Sequence, residues 1–373
     1  MHRLILRLSS LGDLILATSV LEVLPGQGLN DWLTSKEYQD LLFGHPRINK
    51  VSTFDRKTGL NAWIALCRTI WESDYDEVLD LHLTFRTRIM RLLFWFWSLK
   101  EQKKSPNWKS ISKERFHLYG YFLFKGLWPL KWHPTPWVNR FTKIVANQDP
   151  KGPDFSYLLK KASYPSELRD YFTHYFTTIS TNTQVSEGYI CVMPSSRWPG
   201  KNWPTLRYIE ALRKLPYFPI VLGSKTDKRS LELCQGLANS KIPYFNAVGK
   251  WSLAETAQVL KGSRGYLGGD TGLAHLAEAL NVQSRVIFGP TTPAIGFGPR
   301  LPESHAIQSS LWCRPCGKDG RRCYRWINKY ACLDQVTANQ VVESFSEASA
   351  KLKTSRLPGK PGSTSPEHYT KGK

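Results

Sequence analysis

Three short segments carry residues suited to handling anions and protons. The first is RLSSLGD (7–13), where an apolar strand runs into a glycine turn and then into helical spacing. A helix N-terminus gathers unpaired backbone N–H groups, which hold anions or developing negative charge. Asp13 stands at that edge, and its carboxylate suits either a helix cap or an acid–base role. The second is PSSRWPGKNWP (194–204). Ser195 and Ser196 supply hydroxyls and backbone donors, and Arg197 and Lys201 supply positive charge, a set able to grip a diphosphate. A polar surface loop is the plain alternative. A Walker A loop is excluded, because it needs glycine where Ser195 stands and Ser or Thr where Asn202 stands. The third is GYLGGDTGLAHLAEAL (265–280). A strand ends at a glycine pair, and Asp270, Thr271 and Gly272 open a helix. Thr271 and Gly272 can present N–H groups to phosphate, and Asp270 can accept from sugar hydroxyls. His275 follows one turn later on the Thr271 face. No G-x-G-x-x-G is present, which argues against a nicotinamide cofactor.

Positioning these turns requires strands that end together. Leu4 to Leu8, Val51 to Phe54 and Glu77 to Leu81 read as buried strands, with helices over Leu14 to Leu24 and Asn61 to Trp71. A second alternating series begins at Tyr189, with strands at 189–194, 218–223, 265–267 and 285–290. Its helices are expected over Thr205 to Leu215, Asp227 to Ala238 and Ser252 to Lys261. Ser163 to Thr178 reads as a connecting helix. Strand–helix alternation implies α/β architecture with parallel sheets covered on both faces. Residues 86–137 break the rhythm. From Thr354 the chain loses apolar periodicity and reads as a disordered basic tail over 354–373.

The turns resemble glycosyltransferase family 9, the lipopolysaccharide heptosyltransferases. SSLGD, KNWP and GDTGLAHLAEAL…IFGPT agree with that family in order and spacing, and HPRINKVSTFD (45–55) and LDLHLTFRTR (79–88) are weaker similarities between them. The match covers roughly residues 3–345. It implies a glycosyltransferase-B fold: two Rossmann-like domains with parallel sheets facing a central cleft. Residues 1–160 would bind the acceptor and 161–350 the sugar nucleotide. The resemblance implies an inverting enzyme that moves heptose from ADP-heptose to the inner core of lipopolysaccharide. Asp13 matches the general base and Lys201 the diphosphate lysine, with Ser195, Ser196 and Arg197 beside it. Asp270 matches the donor motif, followed by Thr271, Gly272 and His275. Asp227 falls near the acidic ribose-binding position, and Arg86 and Arg88 near the acceptor side. No catalytic cofactor is implied. A same-fold enzyme with another donor or acceptor, or a basic protein binding lipid or nucleic acid without catalysis, are the alternatives.

The chain has 373 residues and a formal charge of +21, so acidic partners are favoured. From Arg86 to Phe116, nine Lys or Arg face two acidic residues, with RLLFWFW (91–97) inside. This stretch suits a membrane headgroup region, the phosphates of a lipid A/core acceptor, or a core helix with a basic flank. No nucleic-acid motif accompanies it, so no nucleic-acid partner is expected. Arg7 and Asp13 interrupt the first apolar run and no cleavage site follows, so the start reads as mature structure. With no apolar run long enough to span a bilayer, a cytoplasmic enzyme peripheral on the inner membrane is expected. Cys313, Cys316, Cys323 and Cys332 are spaced so that four thiolates can hold a structural zinc, or stay as reduced thiols.

Overall fold

The computed structural model describes residues 1–26, 28–146, 152–179 and 188–355. The first sheet contains β1 (His2–Leu6), β2 (Leu29–Ser35), β3 (Lys50–Phe54), β4 (Glu77–Asp80) and β5 (Asn107–Ser110) in the order β3-β2-β1-β4-β5. The second contains β6 (Tyr189–Met193), β7 (Phe218–Val221), β8 (Phe245–Asn246), β9 (Tyr266–Gly269), β10 (Ser284–Phe288) and β11 (His305–Gln308) in the order β11-β10-β9-β6-β7-β8. Every pairing is parallel. Strands buried on both faces need apolar runs, and Leu4, Ile5 and Leu6 of β1 are fully buried. Both sheets share one logic: the first strand of each half lies centrally, with the second and fourth on either side. The chain reverses direction of growth beside β1 and beside β6. At such a switch point the loops leaving the strand ends splay apart and open a crevice.

The segment 86–137 does not leave the pattern. It supplies the helix Phe85–Lys100, then β5, then the helix Arg115–Phe124. Strand β2 is hidden in the sequence because LNDWLTS is polar. Its Asp31 is buried yet satisfied, accepting from Tyr75 Oη at 2.8 Å and Asn49 Nδ2 at 3.0 Å. The helix expected over Leu14 to Leu24 is two, Leu11–Ala17 and Ser19–Val23, broken at Thr18. The connecting helix is present as Ser166–Ile179.

The last helix, Ala338–Ser355, takes in the first two positions of the expected tail, and residues 356–373 lie outside the described residues. The segment around 160 touches both halves. Phe155 N donates to Ala279 O at 3.2 Å, and Lys161 Nζ donates to Asp40 O at 2.8 Å. One apolar cluster joins Ile5, Leu14 and Leu79 of the first half to Leu276 and Phe288 of the second. The halves therefore pack as neighbours, with the two switch points facing one another.

Candidate functional site

A cavity of about 890 Å³ lies where the switch points meet. Ser10, Gly12, Asp13 and Tyr38 line it from the first half, and Ser195, Ser196, Arg197, Lys201, Asp227, Asp270, Thr271, Gly272 and His275 from the second. Every residue expected from the three turns is thus brought together. The turns leave the C-terminal ends of β1, β6 and β9, the central strands on which both sheets pivot.

Asp13 occupies the third position of the helix Leu11–Ala17 and does two things at once. Its carboxylate accepts from Ser10 N at 3.1 Å and Ser10 Oγ at 2.7 Å, which caps the helix. It also pairs with Arg7 Nη2 at 2.9 Å while a fifth of its side chain stays open to the cavity. Burial works against the charged carboxyl. The Arg7 guanidinium, the Ser10 hydrogen bonds and nearby His275 outweigh it and hold Asp13 below the usual carboxylate range. Arg7 is itself buried, extends β1 toward the site, and lies 5.4 Å from the Phe141 ring centre. Behind it, His82 follows β4. Burial, then the Arg7 charge, push its ring down to about 3, so it is neutral at physiological pH.

On the opposite wall Lys201 Nζ donates to Asp270 Oδ2 at 2.6 Å and lies 3.3 Å from Asp270 O. His275 Nε2 stands 3.8 Å from Asp270 Oδ1. Burial pulls the His275 pKa down against the pull of Asp270 and Asp13. Thr271 precedes the helix Gly272–Ala279 and lines the cavity with Gly272, and its Oγ1 is 3.0 Å from Tyr266 Oη. In the KNWP turn each residue has a place. Lys201 faces the cavity, Asn202 Oδ1 accepts from Ser196 N at 2.6 Å, and Trp203 is buried with Nε1 donating to Val336 O at 3.0 Å. Pro204 leads into the helix Thr205–Lys214. Asp227 caps the helix Lys228–Asn239, accepting from Arg229 N at 3.1 Å and Ser230 N at 3.2 Å, and also lines the cavity.

Arg86 and Arg88 do not line this cavity. Arg86 lies 4.7 Å from the Phe54 ring centre. Arg88 borders a separate pocket of about 470 Å³ with Lys113, Arg115 and His117. Sequence reasoning passed over Arg7, His82, Tyr38, Phe297 and Lys318. Arg7 reads as an ordinary break in an apolar run, and the others reach the site only through tertiary packing.

The four cysteines do converge, lining an apolar cavity of about 430 Å³ with Trp312 and Trp326. They do not fit a metal. Among the described residues no group of three or more His, Cys, Asp or Glu is arranged to hold one. Burial pushes the Cys332 thiol up to about 11 and raises that of Cys316, so both are protonated in the metal-free chain. Among the described residues all four are free thiols.

A family model described as glycosyltransferase family 9 (heptosyltransferase) matches residues 63–327. The chain is 26% identical over 343 residues to lipopolysaccharide heptosyltransferase 1 of Pseudomonas aeruginosa, covering 85% of this chain and 86% of that protein. It is 22% identical over 378 residues to lipopolysaccharide heptosyltransferase 1 of Escherichia coli, covering 94% and 99%. Among solved structures, the E. coli ADP-heptose lps heptosyltransferase II superposes with a TM-score of 0.67 at 18% identity, over 95% of this chain and all (100%) of that one. E. coli heptosyltransferase WaaC with ADP superposes with a TM-score of 0.59 at 19% identity, over 93% and 100%. Both share this two-sheet fold.

Proposed function

The chain belongs to glycosyltransferase family 9, the heptosyltransferases, and from that premise we propose that it transfers heptose from an ADP-heptose-like sugar nucleotide to the phosphorylated inner core of lipopolysaccharide, inverting the anomeric centre. One observation carries the reading: Asp13 faces the Lys201–Asp270–His275 cluster across a single cavity between the halves. The arrangement supports residues 1–160 as the acceptor side and 161–350 as the donor side.

The acceptor hydroxyl attacks the anomeric carbon from the Asp13 side. As the new C–O bond forms, that hydroxyl becomes acidic and its proton passes to the Asp13 carboxylate. The bond from the anomeric carbon to the diphosphate oxygen breaks, and the nucleoside diphosphate departs with the electron pair on the opposite face. A carboxylate held ionised is a weak base toward a free alcohol, but it is always in the form that can accept. Arg197, Lys201 and the N–H groups at Thr271 and Gly272 stand where charge grows on the leaving diphosphate. Ser195 and Ser196 add hydroxyl donors. Asp270 orients Lys201 and is offered to the sugar hydroxyls, with His275 behind it. Asp227 sits on the wall assigned to the nucleoside. The reaction so written needs no cofactor.

The acceptor is a lipid, and the outer face of the first half suits a membrane surface. The helix Phe85–Lys100 buries Thr87, Met90 and Phe94 against the sheet. Its other side leaves Leu92, Trp95, Phe96 and Leu99 exposed beside Arg88, Arg91 and Lys100. Phe116, Tyr119 and Leu123 of the helix Arg115–Phe124 are exposed as well. Aromatic groups amid basic ones suit the anionic headgroup region. No helix among the described residues is long and apolar enough to cross a membrane. A peripheral enzyme on the cytoplasmic face of the inner membrane accounts for both facts. The basic pocket around Arg88, Lys113 and Arg115 is assigned to acceptor phosphates.

A screen of sugar nucleotides against truncated lipopolysaccharide acceptors, read by mass, tests the proposal. A gain of one heptose from ADP-heptose supports it. Transfer of another sugar, or from another nucleotide, makes the chain a same-fold enzyme of different specificity.

A further inference from the structure

The cysteine-bearing loop does more than close the apolar cavity beside it. Residues 317–322, between Cys316 and Cys323, run along the donor wall, and Lys318 and Asp319 line the central cavity. The loop is fixed there. Gly320 O accepts from Gly200 N at 3.0 Å, which ties it to the turn bearing Lys201. A Cβ at Gly200 would stand 2.6 Å from that oxygen, so the approach is as close as backbones allow. Arg321 pairs with Asp319 at 2.8 Å and lies 4.4 Å from the Trp198 ring centre. At the loop's root, Cys316 N donates to Pro290 O at 3.1 Å and Arg314 Nη2 to Thr291 O at 2.9 Å.

Charge on this wall is unevenly committed. Lys201 is neutralised in part by Asp270 at 2.6 Å, and Asp319 by Arg321. Lys318 makes no ion pair among the described residues and is exposed to the cavity that it lines. A doubly charged phosphate chain needs more than one cation, and an ammonium free of a carboxylate partner is available to it.

We propose that Lys318 is a donor-binding residue: the loop between Cys316 and Cys323 delivers its ammonium to the diphosphate of the sugar nucleotide, opposite Lys201. The inference rests on the donor site proposed above. Lys318 touches bound donor and leaving diphosphate alike, so its removal acts on nucleotide affinity more than on turnover.

Titration calorimetry of the full chain with ADP, and separately with adenosine, tests this. Lys318→Ala raises the Kd for ADP roughly tenfold, the size of one charge-assisted contact, and Lys318→Glu raises it further. Lys318→Arg restores most of the affinity, while adenosine binding stays level throughout. KM for the donor rises with Kd, and kcat changes little. Equal ADP affinity in wild type and Lys318→Glu overturns the inference and leaves the donor site standing. A parallel loss of ADP and adenosine binding also overturns it, because it marks a fold effect rather than a phosphate contact. A wild-type chain that binds no ADP overturns the donor assignment and this inference together.

Discussion

Gly12 of the first half lies against the imidazole of His275 in the second, so closely that a Cβ at position 12 would stand 2.8 Å from His275 Cδ2. The contact is reciprocal, because a Cβ at Gly272 would stand 2.6 Å from the Leu11 side chain. Two helix starts, one carrying Asp13 and one opening at Gly272, therefore meet with each glycine packed against a side chain of the other helix. This sets the width of the cleft.

Substituting Gly12 with Ala forces these helix starts apart. Overpacking of this kind destabilises by about 1–3 kcal/mol. Transfer is expected to fall more than stability does, because the added methyl moves Asp13 away from Lys201 and Asp270. Thermal melting and kcat measured side by side check this. Wild-type kcat in Gly12→Ala contradicts a cleft set by this contact.

Lys201→Ala is expected to weaken ADP binding about 10- to 100-fold, the range for one strong charge-assisted bond. It also leaves Asp270, 5% exposed, without its closest cation, so stability drops. Adding Asp270→Asn recovers the stability but not the affinity. Calorimetry and melting on the two variants separate these effects, and recovery of ADP binding in the double variant counts against a phosphate role for Lys201.

The three turns were legible because glycine, aspartate and lysine mark the ends of strands in characteristic ways, and their common cavity follows from α/β topology. The central position of β1 and β6 was not legible, since strand order is set by packing between distant segments. Asp13 shows the limit well. Capping and acid–base readings compete in sequence, yet the structure has one carboxylate that caps through Ser10 with one oxygen, pairs with Arg7 through the other, and still lines the cavity. Arg7, which sets its charge state, reads only as a flaw in an apolar strand. Strand β2 was missed because its buried polar residues find partners in the turns before β3 and β4.

Acid is expected to weaken the fold well before it affects Asp13. His45 is buried, accepts from Arg47 N through Nδ1 at 3.1 Å, and is pushed down to about 4 by burial. The unfolded chain takes up this proton near pH 6.5 and the folded chain only near pH 4. Stability therefore rises with pH between those values, and is lost as pH falls below 6.5. At pH 5 the His45 contribution lost is about 2 kcal/mol. His45→Gln flattens the slope of urea midpoints over this window, and an unchanged slope contradicts the assignment. Asp13 is held below its ordinary value, so kcat has no limb near pH 6 from this group.

The exposed face of the helix Phe85–Lys100 gives a membrane prediction. Co-sedimentation with phosphatidylglycerol vesicles is expected for wild type and reduced by salt. Trp95→Ser with Phe96→Ser lowers the partition coefficient roughly tenfold or more, as two aromatic groups are withdrawn from the interface. ADP binding stays unchanged. Equal sedimentation of variant and wild type contradicts this surface.

The central claim is that Asp13 takes the proton of the acceptor hydroxyl in a sugar-nucleotide transfer across the cleft. Asp13→Asn preserves shape and the hydrogen bond from Ser10 but cannot accept the proton. With ADP-heptose and a truncated lipopolysaccharide acceptor, kcat is expected to fall about 10²- to 10⁴-fold, while the Kd for ADP stays within a few-fold and the fold remains intact by melting. Transfer by Asp13→Asn at the wild-type rate would contradict the account.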